Sequence, residues 1–303
     1  MSDITATTVQ SLPAVRQLRA YVQMMRPANM VTSMADVLAG FAVVGLIGWD
    51  SLPWLLASTL CLYAGGIVFN DVFDRQIDAV ERPERPIPSG RASAGGAAML
   101  GSVLLISGVA LASRASMLAA AVAFSIAVAA LSYDKWAKHV PGVGPFVMGS
   151  CRGLNLLLGM VANPSACVSH WFVPVLPLAY IAGVTLLSTG EVHGGSRRIS
   201  CLSAVLMGGG GFGIAAAGAN PDFNVWRVVP FLALLAWRLS PALWRACVTP
   251  EPVYIRVGVK AGILSLVLLD SAIAAGYAGW LYGGGLLVLM LSASRLARLF
   301  PVT

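Results

Sequence analysis

The chain has 303 residues, 57% of them hydrophobic and only 11% charged, with a net charge of +7 and a mean hydropathy of +0.79. So apolar a composition excludes an ordinary water-soluble domain, because runs of about 18 or more apolar residues cross the roughly 30 Å hydrocarbon core of a bilayer as helices. The excess of basic residues, without a basic stripe interleaved with aromatics, fits loops facing an anionic leaflet and excludes a nucleic-acid partner.

Residues 1–20 are polar, carry Asp3 and hold no apolar core before Tyr21, so they read as a cytoplasmic tail rather than a signal peptide. Nine apolar runs follow within residues 21–281: Met30–Gly48, Leu52–Phe69, Gly95–Ala112, Ser116–Ser132, Val143–Val161, Trp171–Ser188, Ile199–Gly218, Trp226–Leu243 and Val259–Leu281. The remaining segment, 282–303, includes Leu286–Phe300, which reads either as a tenth helix or as an interfacial amphipathic one. With the tail inside, Arg16, Arg19, Arg26, Arg75, Arg82, Arg85, Arg91, Lys135, Lys138, Arg197, Arg198, Arg238, Arg245, Arg256 and Lys260 fall on the cytoplasmic side, and only Arg114 and Arg227 fall outside. The expectation is an all-α, multi-pass protein of the cell's inner membrane. Its five cysteines are scattered without a CxxC pair and read as small apolar filler.

Arg26-Pro27-Ala28-Asn29 opens the first run, and proline suits a first helical turn because its missing N–H is not needed there. Asp36 lies a turn or two deeper, where an ionisable group needs a partner or a function. The second run breaks into Asn70-Asp71-Val72-Phe73-Asp74-Arg75-Gln76-Ile77-Asp78. If its helix continues, steps of about 100° bring Asn70, Asp71, Asp74 and Asp78 onto one face. Three carboxylates on one patch are either a solvated helix end or a site for a hard cation, and oxygen ligands beside a substrate phosphate suit Mg²⁺. Arg82, Arg85 and Arg91 in the next loop are placed to clamp phosphate oxygens.

The fourth run ends at Tyr133-Asp134-Lys135-Trp136-Ala137-Lys138; Tyr133 and Trp136 read as interfacial anchors and the lysines as inside-positive markers, or else Lys135 or Lys138 reaches over the mouth of a site built by the second helix. Arg152 lies near the middle of the fifth run, too deep to snorkel. It calls for an anion: a substrate phosphate, Asp36, Asp270 or Glu191. Asn155, three residues on, shares its face. The sixth run closes on Glu191-Val192-His193-Gly194-Gly195, so acidic ends close the second and sixth helices on one side, a spacing that suggests two similar halves.

The NDxxDxxxD run from Asn70 to Asp78, followed by Arg82-Pro83-Glu84-Arg85-Pro86-Ile87-Pro88-Ser89-Gly90, resembles the signature of the UbiA-type intramembrane prenyltransferases. Arg26-Pro27-Ala28-Asn29 is similar to that family's entrance to its first helix, and Tyr133 and Lys138 to its tyrosine and basic residue after helix four. The resemblance is strong from Arg26 to Arg91 and thinner, though collinear, to about Gly279; the chain looks most like a divergent branch from bacterial biosynthetic clusters. It implies about nine transmembrane helices around a central cavity. It further implies Mg²⁺-dependent transfer of a prenyl group from an isoprenoid diphosphate to a small-molecule, often aromatic, acceptor through an allylic carbocation, with membrane lipids as further partners.

On that reading the metal ligands are Asp71, Asp74, Asp78 and Glu191. The catalytic residues are Asp71, Asp74, Lys138 and Arg152, and substrate contacts come from Asn29, Asn70, Arg82, Arg85, Tyr133, Asn155 and His193. One departure stands out. The family's second motif has two aspartates four apart, whereas this chain offers Glu191 alone. The alternative is therefore a catalytically reduced relative that binds or carries a prenyl lipid, or scaffolds a membrane complex.

Overall fold

The computed structural model describes residues 14–216 and 220–299, and no strand occurs among them. Thirteen α-helices follow one another: α1 (Ala14–Met24), α2 (Pro27–Val43), α3 (Leu52–Phe73), α4 (Arg75–Glu81), α5 (Ala94–Ser113), α6 (Met117–Lys135), α7 (Val143–Met160), α8 (Pro164–Ser169), α9 (Val175–Ser188), α10 (Arg197–Ala216), α11 (Val225–Val248), α12 (Pro252–Ala278) and α13 (Trp280–Leu299). Proline in the first turn starts α2, α3, α8 and α12, where it has the backbone angle a helix needs and lacks only a donor that would go unused. Ser93 and Ser116 cap α5 and α6 by accepting from the backbone N–H of Gly96 and Ala119.

Five helices, α3, α5, α6, α11 and α12, are long and apolar enough to cross a membrane on their own account. The other apolar runs of the nine expected fall in α2, α7, α9 and α10, and the tenth segment in α13. Helices α2 and α9 have 17 and 14 residues; α7 is interrupted by Arg152 and Asn155, and α10 opens on Arg197 and Arg198 and carries four successive glycines. These four depend on packing against neighbours more than on their own hydropathy.

The apolar interior holds two large cores and a smaller one. One large core gathers α3, α5 and α6, the other α9 to α13, and α2 and α7 contribute side chains to both. At their crossing a methyl on Gly40 would overlap the Leu156 carbonyl oxygen, and one on Gly159 would overlap the Val37 carbonyl. Small residues thus let the two backbones touch, the usual route to close helix association in lipid, where no hydrophobic force pulls helices together.

The segments lying outside the nine runs are also built into the bundle. Residues 1–13 of the tail fall outside the described residues, but α1 begins at Ala14 and buries Ala20 and Met24 beside Val68 and Val72 of α3. At the other end Gly279, at φ 94°, reverses the chain in a conformation that a side chain would strain. Helix α13 then returns along α12, with Gly283 against the Ser271 carbonyl and Ala275, and leans on α2 through a hydrogen bond from Tyr282 Oη to the Leu38 carbonyl oxygen at 3.1 Å.

Candidate active site

The acidic run does not lie on one unbroken helix. Helix α3 stops at Phe73, and Asp74, at φ −84° and ψ 1°, separates it from α4; aspartate favours helix starts over helix interiors because its carboxylate competes for backbone N–H groups. The interruption is one residue long. Backbone bonds from Asp74 N to Asn70 O (2.9 Å) and from Asp78 N to Asp74 O (2.8 Å) carry the helical path across it.

Each aspartate therefore still meets the same cluster of cations. Arg85 Nη1 lies 2.6 Å from Asp78 Oδ2 and 3.3 Å from Asp71 Oδ1, and Arg26 Nη2 lies 3.2 Å from the same Asp71 oxygen. Lys138 Nζ pairs with Asp74 Oδ1 at 2.5 Å, and Asn70 Nδ2 donates to Asp134 Oδ1 at 2.9 Å. Asp71, Asp78, Arg85 and Asp134 are buried. Buried charges persist only where each finds a partner, and this cluster supplies them from α1–α2, α3, α4, the loop after α4, and the turn after α6.

The arginine-rich loop divides its labour. Three prolines remove backbone donors, and Ser89 Oγ donates to the Arg85 carbonyl at 2.6 Å. Arg91 donates to Ser89 Oγ, the Glu84 carbonyl and Gln23 Oε1 of α1. Arg91 thus ties the loop to α1, and Arg85 is held between two aspartates. Arg82 stays exposed. It faces Glu191, whose carboxyl burial pushes above the usual carboxylate range while Arg82 and Arg256 pull it back. The Glu191 loop is anchored by Gly195 N donating to the Pro250 carbonyl at 3.0 Å.

The other residues named from the sequence fall in several places. Tyr133 is half-buried beside Asp74 and Cys151, Asn29 is half-buried in the first turn of α2, and His193 is exposed. Arg152 is absent from the cations on the aspartate cluster. Its anion is Asp36, 2.6 Å from Nη1 to Oδ2, and Asn155 donates to that same oxygen at 2.7 Å. The two residues belong to a deeper polar group and make no contact with Asp71, Asp74 or Asp78.

Three further residues at the cluster were not expected from the sequence. Arg26 was noted only for its place before Pro27, yet it adopts the left-handed φ of 50°, a strain of about 1 kcal/mol or more, in the position that puts its guanidinium on Asp71. Asp134 holds Asn70, and Arg256 faces Glu191 from α12. Single residues set far apart in sequence carry no spacing signal, so only the fold brings them to the acids.

The donor set fits a magnesium ion. Its ligands are all oxygen, and the ion pairs use one oxygen of each aspartate, leaving the second outside those pairs. Among the described residues no three acidic, histidine or cysteine side chains close into a cage. A Mg²⁺ ion here would therefore be held by one or two carboxylates together with water and substrate phosphate.

Residues 30–194 match the UbiA prenyltransferase family, and the chain belongs to that family. It is 30% identical over 234 residues to a digeranylgeranylglyceryl phosphate synthase of Saccharolobus solfataricus, covering 74% of this chain and 77% of the relative. A relative of the same description from Natronomonas pharaonis is 33% identical over 149 residues, covering 49% and 54%. The chain spans about half the length of several of the curated relatives it matches. Among solved structures, one described as digeranylgeranylglyceryl phosphate synthase aligns with a TM-score of 0.68 at 20% identity, over 86% of this chain and 98% of the other. A UbiA homolog from Archaeoglobus fulgidus bound to GPP and Mg²⁺ aligns at 0.52 and 12% identity, over 93% and 99%. The all-helical bundle is therefore the UbiA fold.

Proposed function

We propose that the chain transfers a prenyl group from an allylic isoprenoid diphosphate to a nucleophilic acceptor in the membrane, with the aspartate cluster as its diphosphate site and residues 21–281 as the catalytic unit. The observation that carries this reading is the gathering of Asp71, Asp74 and Asp78 with Arg26, Arg85 and Lys138 at the end of α3. The Archaeoglobus homolog bound to GPP and Mg²⁺ supports it.

One or two of Asp71, Asp74 and Asp78 would hold Mg²⁺ through oxygens outside their ion pairs, together with water and the substrate phosphate, and the ion when bound would supply Lewis-acid stabilisation of the departing diphosphate. Lys138 and Arg82 lie at the rim, where they would neutralise charge growing on the leaving group. Arg26 and Arg85 keep Asp71 and Asp78 in place. Glu191, opposite Arg82, closes the site from the α9 side. The apolar helices around the cluster exclude water, so that the allylic cation meets the acceptor before it meets a hydroxide.

The relatives' name places a glyceryl phosphate lipid among the acceptors to be offered, beside phenols. The test is diphosphate release by the purified protein, given allylic diphosphates of graded chain length with and without Mg²⁺ and with both acceptor classes. Metal-dependent release that falls at least about a hundredfold in Asp71→Asn and Asp74→Asn, with unchanged melting behaviour, is the expected outcome. Turnover retained in both variants would remove the site assignment. Tight binding of a prenyl diphosphate without any release would leave a prenyl-lipid carrier instead.

A further inference from the structure

Away from the diphosphate site, four helices meet through polar side chains in the middle of the bundle. Arg152 of α7 donates to Asp36 Oδ2 of α2 at 2.6 Å and rests over the Tyr63 ring of α3 at 5.3 Å. Asn155 donates to the same Asp36 oxygen at 2.7 Å and to the Ser33 carbonyl at 2.8 Å, and accepts from Thr59 Oγ1 at 2.6 Å. Asp270 of α12 stands within hydrogen-bonding reach of Asp36. Both carboxyl groups are wholly buried. Neither oxygen of Asp270, nor Asp36 Oδ1, has a hydrogen-bond partner.

Two buried carboxyls thus have one guanidinium nearby, which pairs with Asp36 alone, and three of their oxygens have no donor. Two ionised carboxylates side by side in an apolar interior repel each other, and an unpaired one loses its hydration without compensation. One proton placed between them removes the surplus charge and supplies the donor that Asp36 Oδ1 lacks.

We propose that Asp36 and Asp270 form a proton-binding site in the membrane interior, Asp270 being held as the carboxylic acid that donates to Asp36 Oδ1 while Asp36 stays ionised against Arg152. No bond other than the O–H is made or broken, and the proton comes from water as the bundle assembles. The titratable and charged groups around the pair are Arg152 from α7, which rests on Tyr63 of α3, and Tyr180 from α9; Arg238 of α11 is exposed and Tyr282 of α13 is spent on the Leu38 carbonyl. Helix α10 meets this level of α12 with Gly210, against Leu269. The proton therefore joins α2 to α12, and ionising Asp270 would push the two helices apart. The proposal is independent of the transfer reaction.

Infrared difference spectra of the full-length protein in detergent, wild type against Asp270→Asn at neutral pH, test it. The expected result is a carbonyl stretch of a neutral carboxyl in the wild type, shifted in heavy water and missing from the variant. Asp270→Asn should fold and melt close to the wild type, because its amide can make the same donation. Asp36→Asn, which leaves Arg152 without its anion, should melt far lower. Because the folded wild type holds a proton that the unfolded chain releases, its melting temperature should also fall relative to Asp270→Asn as pH rises. The absence of a carboxyl band that depends on Asp270, or a loss of stability in Asp270→Asn equal to that in Asp36→Asn, would overturn the proposal.

Discussion

Arg85 and Arg82 stand three residues apart and do different things. Arg85 is buried between Asp71 and Asp78, so Arg85→Ala leaves two buried carboxylates short of a cation, a change that costs about 3–5 kcal/mol; a denaturant melt in detergent should show it. Arg82 is exposed and faces Glu191, and Arg82→Ala should hardly alter that melt. Its effect belongs to pH instead. Burial raises the Glu191 carboxyl and Arg82 lowers it, so on the proposed reading, in which Glu191 acts ionised, Arg82→Ala should move the acidic limb of the pH–rate profile to higher pH. In Glu191→Gln the same arginine substitution should leave that limb where it was. An upward shift that survives in the glutamine background would assign the limb to another group.

Periodicity and charge made the element that matters most legible. The run from Asn70 to Asp78 breaks an apolar helix with acids at near-helical spacing, and only together with the arginines of the following loop did it point to the candidate site. The one-residue stop at Asp74 was not legible, because a single unfavourable residue is often overridden by its neighbours. Depth in the membrane marked Arg152 as needing an anion, and Asp36 was one of four candidates; which of them sat opposite depended on how α2 and α7 cross. That crossing rests on Gly40 and Gly159. Gly159→Leu forces a side chain into the Val37 carbonyl and should cost about 1–3 kcal/mol or prevent folding, read as lost monodisperse protein by size exclusion. A leucine at Gly208, where a side chain meets open space, is the control and should be tolerated.

At the scale of the molecule, nine apolar runs and a tenth segment translated into ten long helices among the described residues, but only half of them are apolar enough to cross alone. The sequence pattern reports what a helix would do by itself, whereas α2, α7, α9 and α10 are held by neighbours. Helix α13 shows the same dependence in reverse: its stretch of glycines and late arginines left it ambiguous, and its packing on α2 and α12 places it in the bundle. Removing residues 280–303 should uncover the faces of α2 and α12 around Leu38 and Ser271. A lower melting temperature and faster proteolysis near those helices are the expected results, and an unchanged melt would show that α13 is dispensable for the bundle.

The contact between α2 and α7 has a mechanical consequence. Where two backbones already touch there is no side chain to compress and no rotamer to change, so the spacing of this pair works as a fixed pivot between the two cores. Any widening that admits a long hydrocarbon chain has to take place along the other seams, where side chains interdigitate and can slide. Spin labels across the α2–α7 crossing should therefore report one sharp distance with and without a prenyl diphosphate, while pairs spanning α6 to α11 should report a distance that changes.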